Sequence, residues 1–318
     1  MTMLTEERGL ARSTSSGGSG VNVVKVGRPS FLWALPAVAY FALLALVPLG
    51  VVLWLSFTKW NGIGSPHWIG TGNWKSVFHD QVLIQSIKIT AILTVLGVLT
   101  QTPISLLLGV WAAGYQKNRA ILSALYFIPL LMSAAAVSIV WFSLLNPYFG
   151  LPHELSFIFS SALFNHGYLF SSQAAAIGVL TFVGMWQWTP FHTLIYQGGA
   201  RAIPEVLYQA AAIDGAGRVR QFFHITLPQL RNTMVTSIVL MVVGGLTTFD
   251  SILILTQGGP GTATTSTSYY MYVQGFSDFN FGPASVIAVL LIVVTTLISI
   301  ILVRATGWDK MRSTQEGL

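Results

Sequence analysis

The sequence predicts an all-α, polytopic membrane protein with six transmembrane helices and one helical segment on its cytoplasmic side. Three observations carry this. Only 8% of the 318 residues are charged and 53% are hydrophobic, with a mean hydropathy of +0.67. A soluble domain carries about 25% charged residues, so this chain lacks the polar side chains to cover a water-facing surface. Six apolar stretches, at about 31–57, 85–113, 121–145, 173–196, 233–255 and 283–304, reach the roughly 20 residues a helix needs to cross the hydrocarbon core. The basic residues, finally, gather on one side of those stretches.

Residues 1–28, with TSSGGSG, read as a flexible cytoplasmic tail, and 29–318 as the transmembrane domain. The first stretch is a retained span. It is too long for a signal peptide, is broken by Pro36 and Pro48, and runs into LSFTKWNG with no small-residue cleavage site.

Orientation follows from charge. With the N-terminus in the cytoplasm, Arg8, Arg12, Lys25, Arg28, Lys117, Arg119, Arg201, Arg218, Arg220, Arg231, Arg304, Lys310 and Arg312 all fall inside. Only Lys59, Lys75 and Lys88 fall outside or at the outer boundary. Both termini come out cytoplasmic. The same bias explains the net charge of +6 without nucleic acid as a partner; membrane lipid is the partner the composition demands.

The connections 58–84, 146–172 and 256–282 then lie outside, and 114–120 and 197–232 inside. Trp60, Trp68, Trp74, Tyr148, Phe149, Tyr269, Tyr270 and Tyr272 cluster in the outer ones. They read first as an interfacial aromatic belt and second as a docking surface for an external partner. The outer TQGGPGTATTSTSYY is a flexible, polar loop with permissive glycines, and reads either as a simple connector or as part of an external docking surface and outer gate.

Catalytic patterns are missing. There is no cysteine and neither a G-x-x-x-x-G-K-[ST] loop nor an H-E-x-x-H pair. The histidines are scattered, and only His192 lies well inside a stretch, where a helix–helix hydrogen bond is the expectation. Asp250 is the one acid within a stretch, which is thin material for a proton relay or a membrane enzyme. The chain reads as a non-enzyme that moves something without its own engine.

The long inner connection holds RAIPEVLYQAAAIDGAGRVRQFFHITLP. Pro204 and Glu205 suit a helix start. Val206, Leu207, Ala210 and Ile213 recur at helical spacing, and Asp214-Gly215 suits a stop. A second short helix is expected over 218–225, with Pro228 in the first turn of the next span. The alanines admit close approach of a partner groove; a helix lying on lipid headgroups is the alternative.

Residues 209–228 resemble the signature of permease subunits of binding-protein-dependent ABC importers, E-A-A, three residues, G, nine residues, I-x-L-P. Gln209, Ala210, Ala211, Gly215, Ile225, Leu227 and Pro228 fall on that spacing. Asp214 and Ala216 match the DGA of the carbohydrate-uptake (maltose-transporter-type) branch, and FIPLLMSAAAVSIVW and FDSILILTQGGPG resemble its third and fifth spans. Gln209 departs from the signature glutamate, keeping hydrogen-bonding reach and losing a charge.

The resemblance implies the permease of an ATP-driven importer in a bacterial inner membrane, translocating a neutral sugar or oligosaccharide. Its implied partners are a second permease, two ATPase subunits and an extracytoplasmic solute-binding protein. No cofactor belongs to this chain, since ATP and magnesium bind the ATPases. The coupling segment, about 201–231, is expected to dock the ATPase through Glu205, Gln209, Ala210, Ala211, Asp214, Gly215 and Pro228. Gln187, Trp188 and Phe191, with Gly245, Thr248 and Asp250, are expected along the substrate path, because sugars take hydroxyl-directed hydrogen bonds and aromatic faces. Gly245 has helix packing as its alternative, and Asp250 a structural acceptor role. Other readings are a glycerol phosphoester as solute and a self-sufficient secondary carrier.

Overall fold

The computed structural model describes residues 33–114, 117–146, 148–151, 170 and 172–305. The tail expected at 1–28 and most of the connection 146–172 lie outside the described residues. The chain divides into two compact units, Met1–Pro48 and Leu49–Leu318. The helix α1 (Leu35–Leu55) begins in the first unit and carries a π-helical turn at Ala42–Leu46.

In the second unit a short hairpin, β1 (Thr58–Lys59) and β2 (His67–Trp68), pairs antiparallel and leads to α2 (Gly72–Phe78). Then comes α3 (Gln81–Ala112), started by Asp80, whose carboxylate accepts the Val82 N–H at 2.8 Å. This helix is rich in hydroxyls that need no outside partner. Ser86, Thr90, Thr94 and Ser105 each donate to a carbonyl three or four residues back, at 2.6–2.8 Å. Polar residues satisfied in this way can sit inside an apolar bundle.

The stretch expected as one span at 121–145 is broken into α4 (Lys117–Tyr126), α5 (Ile128–Leu131) and α6 (Ala134–Leu144). Pro129 lies in the first turn of α5, and Ser133 caps α6 by accepting the Ala136 N–H. Proline and a capping serine restart a helix rather than continue one. Then follow α7 (Gln173–Arg201), capped by Ser172, α8 (Glu205–Ile213), α9 (Arg218–Gln229) and α10 (Arg231–Leu246). After α10 come a π-helical turn at Ile252–Thr256, α11 (Thr267–Tyr272) with a π-helical extension at Val273–Ser277, and α12 (Phe281–Ala305).

Among the described residues three helices, α1, α3 and α12, are long and apolar enough to cross a membrane, and α9 with α10 forms a fourth candidate bent by 68°. The 29-residue α7 is long enough as well, with Gln187, Thr189, His192 and Thr193 buried along it. Of these, His192 meets Ser237 of α10, and Thr189 and Thr193 donate to carbonyls of α7 itself.

Helices α3 and α7 run parallel. Ile89 and Leu93 share one core cluster with Val179, Leu180 and Val183. Further along, Gln197 donates through Nε2 to the Ala112 carbonyl at 2.9 Å. Two parallel helices require the intervening chain to return over the same distance, which α4–α6 does in pieces. Helix α10 runs against both: Leu230 packs with Leu106 and Tyr196 near its start, and Gly245 meets Thr94 at its end. Helix α12 starts beside the hairpin, where Val286 and Ile287 pack with Val77, Leu83 and Tyr270.

Candidate functional site

A cavity of about 470 Å³ opens between α3, α7, α10 and the stretch after α10. Its wall holds all six residues expected along the substrate path: Gln187, Trp188, Phe191, Gly245, Thr248 and Asp250. The spacing of α7 explains the first group. Gln187 and Phe191 are four residues apart, and residues at that interval share one face of a helix.

Gln187 is the least ordinary of the six. It is only 6% exposed, yet its carboxamide meets no hydrogen-bond partner among the described residues. Among the described residues the enclosed side-chain polar atoms without a partner are Trp141 Nε1 and Tyr196 Oη; the Gln187 carboxamide instead opens on the cavity. Trp188 and Phe191 are partly exposed there, offering aromatic faces. Asp250 is exposed and takes no side-chain hydrogen bond among the described residues, so the structural acceptor role expected for it has no donor here.

Gly245 serves two purposes. It lines the cavity, and a Cβ on it would fall 2.8 Å from Thr94 Oγ1 and 3.0 Å from Thr94 Cα. The packing alternative therefore holds for Gly245 alongside its place in the wall. His192, also in the wall, is 4% exposed, and its Nδ1 lies 2.9 Å from Ser237 Oγ. This is the helix–helix hydrogen bond expected for it, joining α7 to α10.

The signature segment lies at the other end of the bundle and contributes no buried residue from α8. Glu205 sits in the first turn of α8 after Pro204, and Gln209, Ala210 and Ala211 follow in its body. The helix stops as the sequence predicts. Gly215 takes φ +75°, its N–H donates to the Ala212 carbonyl at 3.0 Å, and the Ala216 N–H donates to the Ala211 carbonyl at 2.8 Å. This is the paired C-terminal cap that a left-handed glycine permits, with Asp214 as the preceding cap residue.

Pro228 is placed differently from expectation. It lies in the last turn of α9, before the 68° bend, and the next long helix begins at Arg231. The physical reason is continuity: α9 extends through a π-helical turn at Phe222–Thr226, which carries the helix past the proline to the buried Leu230.

Sequence reading missed what holds the segment in place. The Tyr208 hydroxyl lies 2.9 Å from Thr226 Oγ1, tying α8 to α9, and Gln221 Nε2 donates to the Ala216 carbonyl at 2.9 Å across the corner. With those ties made, Val206, Ile213, Val219 and Phe223 remain exposed, Ile213 at 87%.

A helical membrane bundle with a half-polar internal cavity, and with a rigidly braced helix exposed at one end, has the layout of a transport subunit. The chain belongs to the family of binding-protein-dependent transport system inner membrane components, the match spanning residues 105–306. It is a non-catalytic permease subunit of the ABC-importer type. It is 27% identical over 250 residues to the multiple sugar-binding transport system permease protein MsmF of Streptococcus mutans, covering 78% of this chain and 85% of that protein. To the sn-glycerol-3-phosphate transport system permease protein UgpA of Yersinia enterocolitica it is 29% identical over 273 residues, 84% of this chain and 91% of the other. The crystal structure of a bacterial alginate ABC transporter, in complex with an alginate pentasaccharide-bound periplasmic protein, contains a chain of the same fold. The TM-score is 0.74 at 22% identity, over 86% of this chain and 91% of that one.

Proposed function

We propose that this permease carries a neutral sugar or oligosaccharide, delivered by an extracytoplasmic binding protein, through the cavity around Gln187. The observation that carries this is the chemistry of the wall: a carboxamide that opens on the cavity with no protein partner, beside Trp188 and Phe191, with one carboxylate and, among the described residues, no lysine or arginine. Hydroxyls of a neutral sugar satisfy Gln187, Thr248 and Asp250, and the aromatic rings cover its C–H faces. The likeness to MsmF, of a multiple sugar-binding transport system, supports a sugar as solute.

In this reading α8 docks a partner ATPase through the exposed face containing Glu205, Gln209, Ala210 and Ala211, with Asp214 and Gly215 fixing its end. Two such ATPases, binding ATP and magnesium, and a second permease complete the importer. The membrane is a bacterial inner membrane, residues 29–318 form the transmembrane domain, and both termini are cytoplasmic. The bias of basic residues supports that orientation.

The likeness to UgpA favours a second reading, a glycerol phosphoester as solute. Phosphate calls for charged or bidentate donors; in that case the second permease supplies them, since among the described residues this wall holds no lysine or arginine.

The test is purification from native membranes in mild detergent, with every co-purifying subunit identified by mass spectrometry and the binding protein screened against neutral and phosphorylated sugars. An ATPase, a second permease and a binding protein selective for a neutral sugar are expected. A chain that purifies alone and transports in liposomes without ATP sinks the importer reading; a binding protein that takes only phosphoesters moves the solute to the second one.

A further inference from the structure

The cavity is long in one direction. On α7 its lining runs from Leu180 to His192, twelve residues and about 18 Å along the helix axis, which is longer than one pyranose ring. Two polar side chains on this wall, Gln101 and His192, have no solute role in the reading above.

Gln101 belongs to α3. Gly109 of that helix touches α7, since a Cβ on it would fall 2.9 Å from the Thr193 carbonyl oxygen and 2.6 Å from Tyr196 Cβ. Eight residues back along the two parallel helices lie Gln101 on one and residues 185–188 on the other. Gln101 and Gln187 therefore stand at one level. The Gln101 carboxamide makes no hydrogen bond to the protein among the described residues. It lies over Gly97, where a Cβ would come 3.4 Å from its Nε2, and both residues line the cavity.

His192 lies five residues beyond Gln187, about 7.5 Å further toward the signature segment. Its ring is held on two sides: Nδ1 lies 2.9 Å from Ser237 Oγ, and the Phe191 ring meets it edge-on at 5.2 Å. Nε2 has no partner among the described residues, yet it is not one of the enclosed unpartnered atoms. It opens on the cavity that His192 lines. Whichever of Nδ1 and Ser237 Oγ carries the shared hydrogen, Nε2 keeps one hydrogen bond to give or to accept. A sugar hydroxyl fits either case, being both donor and acceptor.

We propose that His192 Nε2 forms an inner subsite, so that the cargo is an oligosaccharide of at least two sugar units. One unit sits between Gln187 and Gln101, and the next is hydrogen-bonded to His192. The proposal rests on the sugar-importer reading above. Ser237 is a positioning residue here: it turns the imidazole so that the second nitrogen faces the solute.

Two substitutions separate this role from the bond between helices. Asparagine places a polar atom where Nδ1 stands and does not reach the place of Nε2. Glutamine reaches the place of Nε2 and leaves Ser237 without its bond. The complex is used as it co-purifies, reconstituted in liposomes. The probes are glucose, galactose, mannose and xylose with their two- and three-unit homologues, screened first on the co-purified binding protein. ATP-driven uptake of the two-unit sugar it retains is then measured. His192→Asn is expected to lower that uptake about tenfold, the worth of one hydrogen bond, and His192→Gln to recover most of it. Thermal unfolding of the same complexes is expected in the opposite order, with His192→Asn the more stable. Uptake that follows stability, or that matches the parent in His192→Asn, overturns the subsite. So does a binding protein that retains one-unit sugars only. Gln101→Leu is expected to lower uptake of one-unit and two-unit sugars alike, and a loss confined to the longer sugar would contradict the shared level with Gln187. Sugar uptake by the parent complex reports on the importer reading by itself, so the two failures are distinguishable.

Discussion

Gly245 packs against the backbone of Thr94 so closely that one added carbon would lie 3.0 Å from the Thr94 Cα. Its neighbour Gly244, whose Cβ would point elsewhere on the helix, has open space there. In lipid, where tails are as apolar as leucine, helices associate through such close packing rather than through expulsion of water. Gly245→Ala is therefore expected to destabilise the bundle by about 1–3 kcal/mol, the usual cost of overpacking, and Gly244→Ala to leave it unchanged. Thermal unfolding of the detergent-solubilised subunit checks both; equal midpoints for the two variants would contradict the packing.

Gln187→Leu keeps the size of the side chain and removes its polar atoms. If the carboxamide binds solute, the lost hydrogen bond is worth about 1–1.5 kcal/mol, close to a tenfold rise in the solute concentration needed for half-maximal uptake. Stability is expected to hold, because the carboxamide makes no hydrogen bond to the protein among the described residues and faces the cavity. Unchanged uptake would mark Gln187 as a bystander.

The pair His192 and Ser237 is a structural bond between helices, and its worth is modest. Membrane hydrogen bonds of this kind average about 0.6 kcal/mol. A double-mutant cycle with His192→Phe and Ser237→Ala is expected to give a coupling of that order, with uptake retained in Ser237→Ala. A coupling indistinguishable from zero would show that the 2.9 Å contact holds nothing together.

Gly215→Pro acts at the far end of the molecule. Proline fixes φ near −65° and has no N–H, whereas Gly215 needs φ +75° and donates to Ala212. The cap of α8 is lost and the exposed face of α8 changes direction, while the bundle keeps every contact described above. Insertion is expected to persist and co-purification of the ATPase to fail. Gly217→Ala, at φ −67° and with open space around it, is the matched control and keeps the ATPase. Normal assembly of the proline variant would count against α8 as the docking helix.

The parts of this molecule that were legible in the sequence are those set by neighbours in the chain. The cap at Asp214-Gly215 and the helical face shared by Gln187 and Phe191 depend on local geometry alone. The break at Phe127–Ser133 was partly legible, since Pro129 and Ser133 are visible restart signals that the continuous hydropathy of 121–145 concealed. The buried run Thr264–Ser268 was not legible. Its polarity argues for water, whereas Thr264 and Thr265 bond back to Thr256, Gly259 and Gly258, and Ser266 and Thr267 reach Thr248 and Thr90. Pro228 was misplaced because the π-helical turn at Phe222–Thr226 lengthens α9 without any local sequence mark.

The bend at Leu230 has a mechanical consequence. Leu230 is fully buried against Leu106 and Tyr196, which makes it a fulcrum, with α9 as the short handle of a crank and α10 as its arm. The arm has 16 residues, about 24 Å at 1.5 Å per residue. A turn of roughly 10° about the fulcrum sweeps its tip through about 4 Å. That tip carries Gly244 and Gly245 in the cavity wall. The sweep equals about one carbon–carbon contact distance, so a small rotation imposed at α9 is enough to part the seam between Gly245 and Thr94.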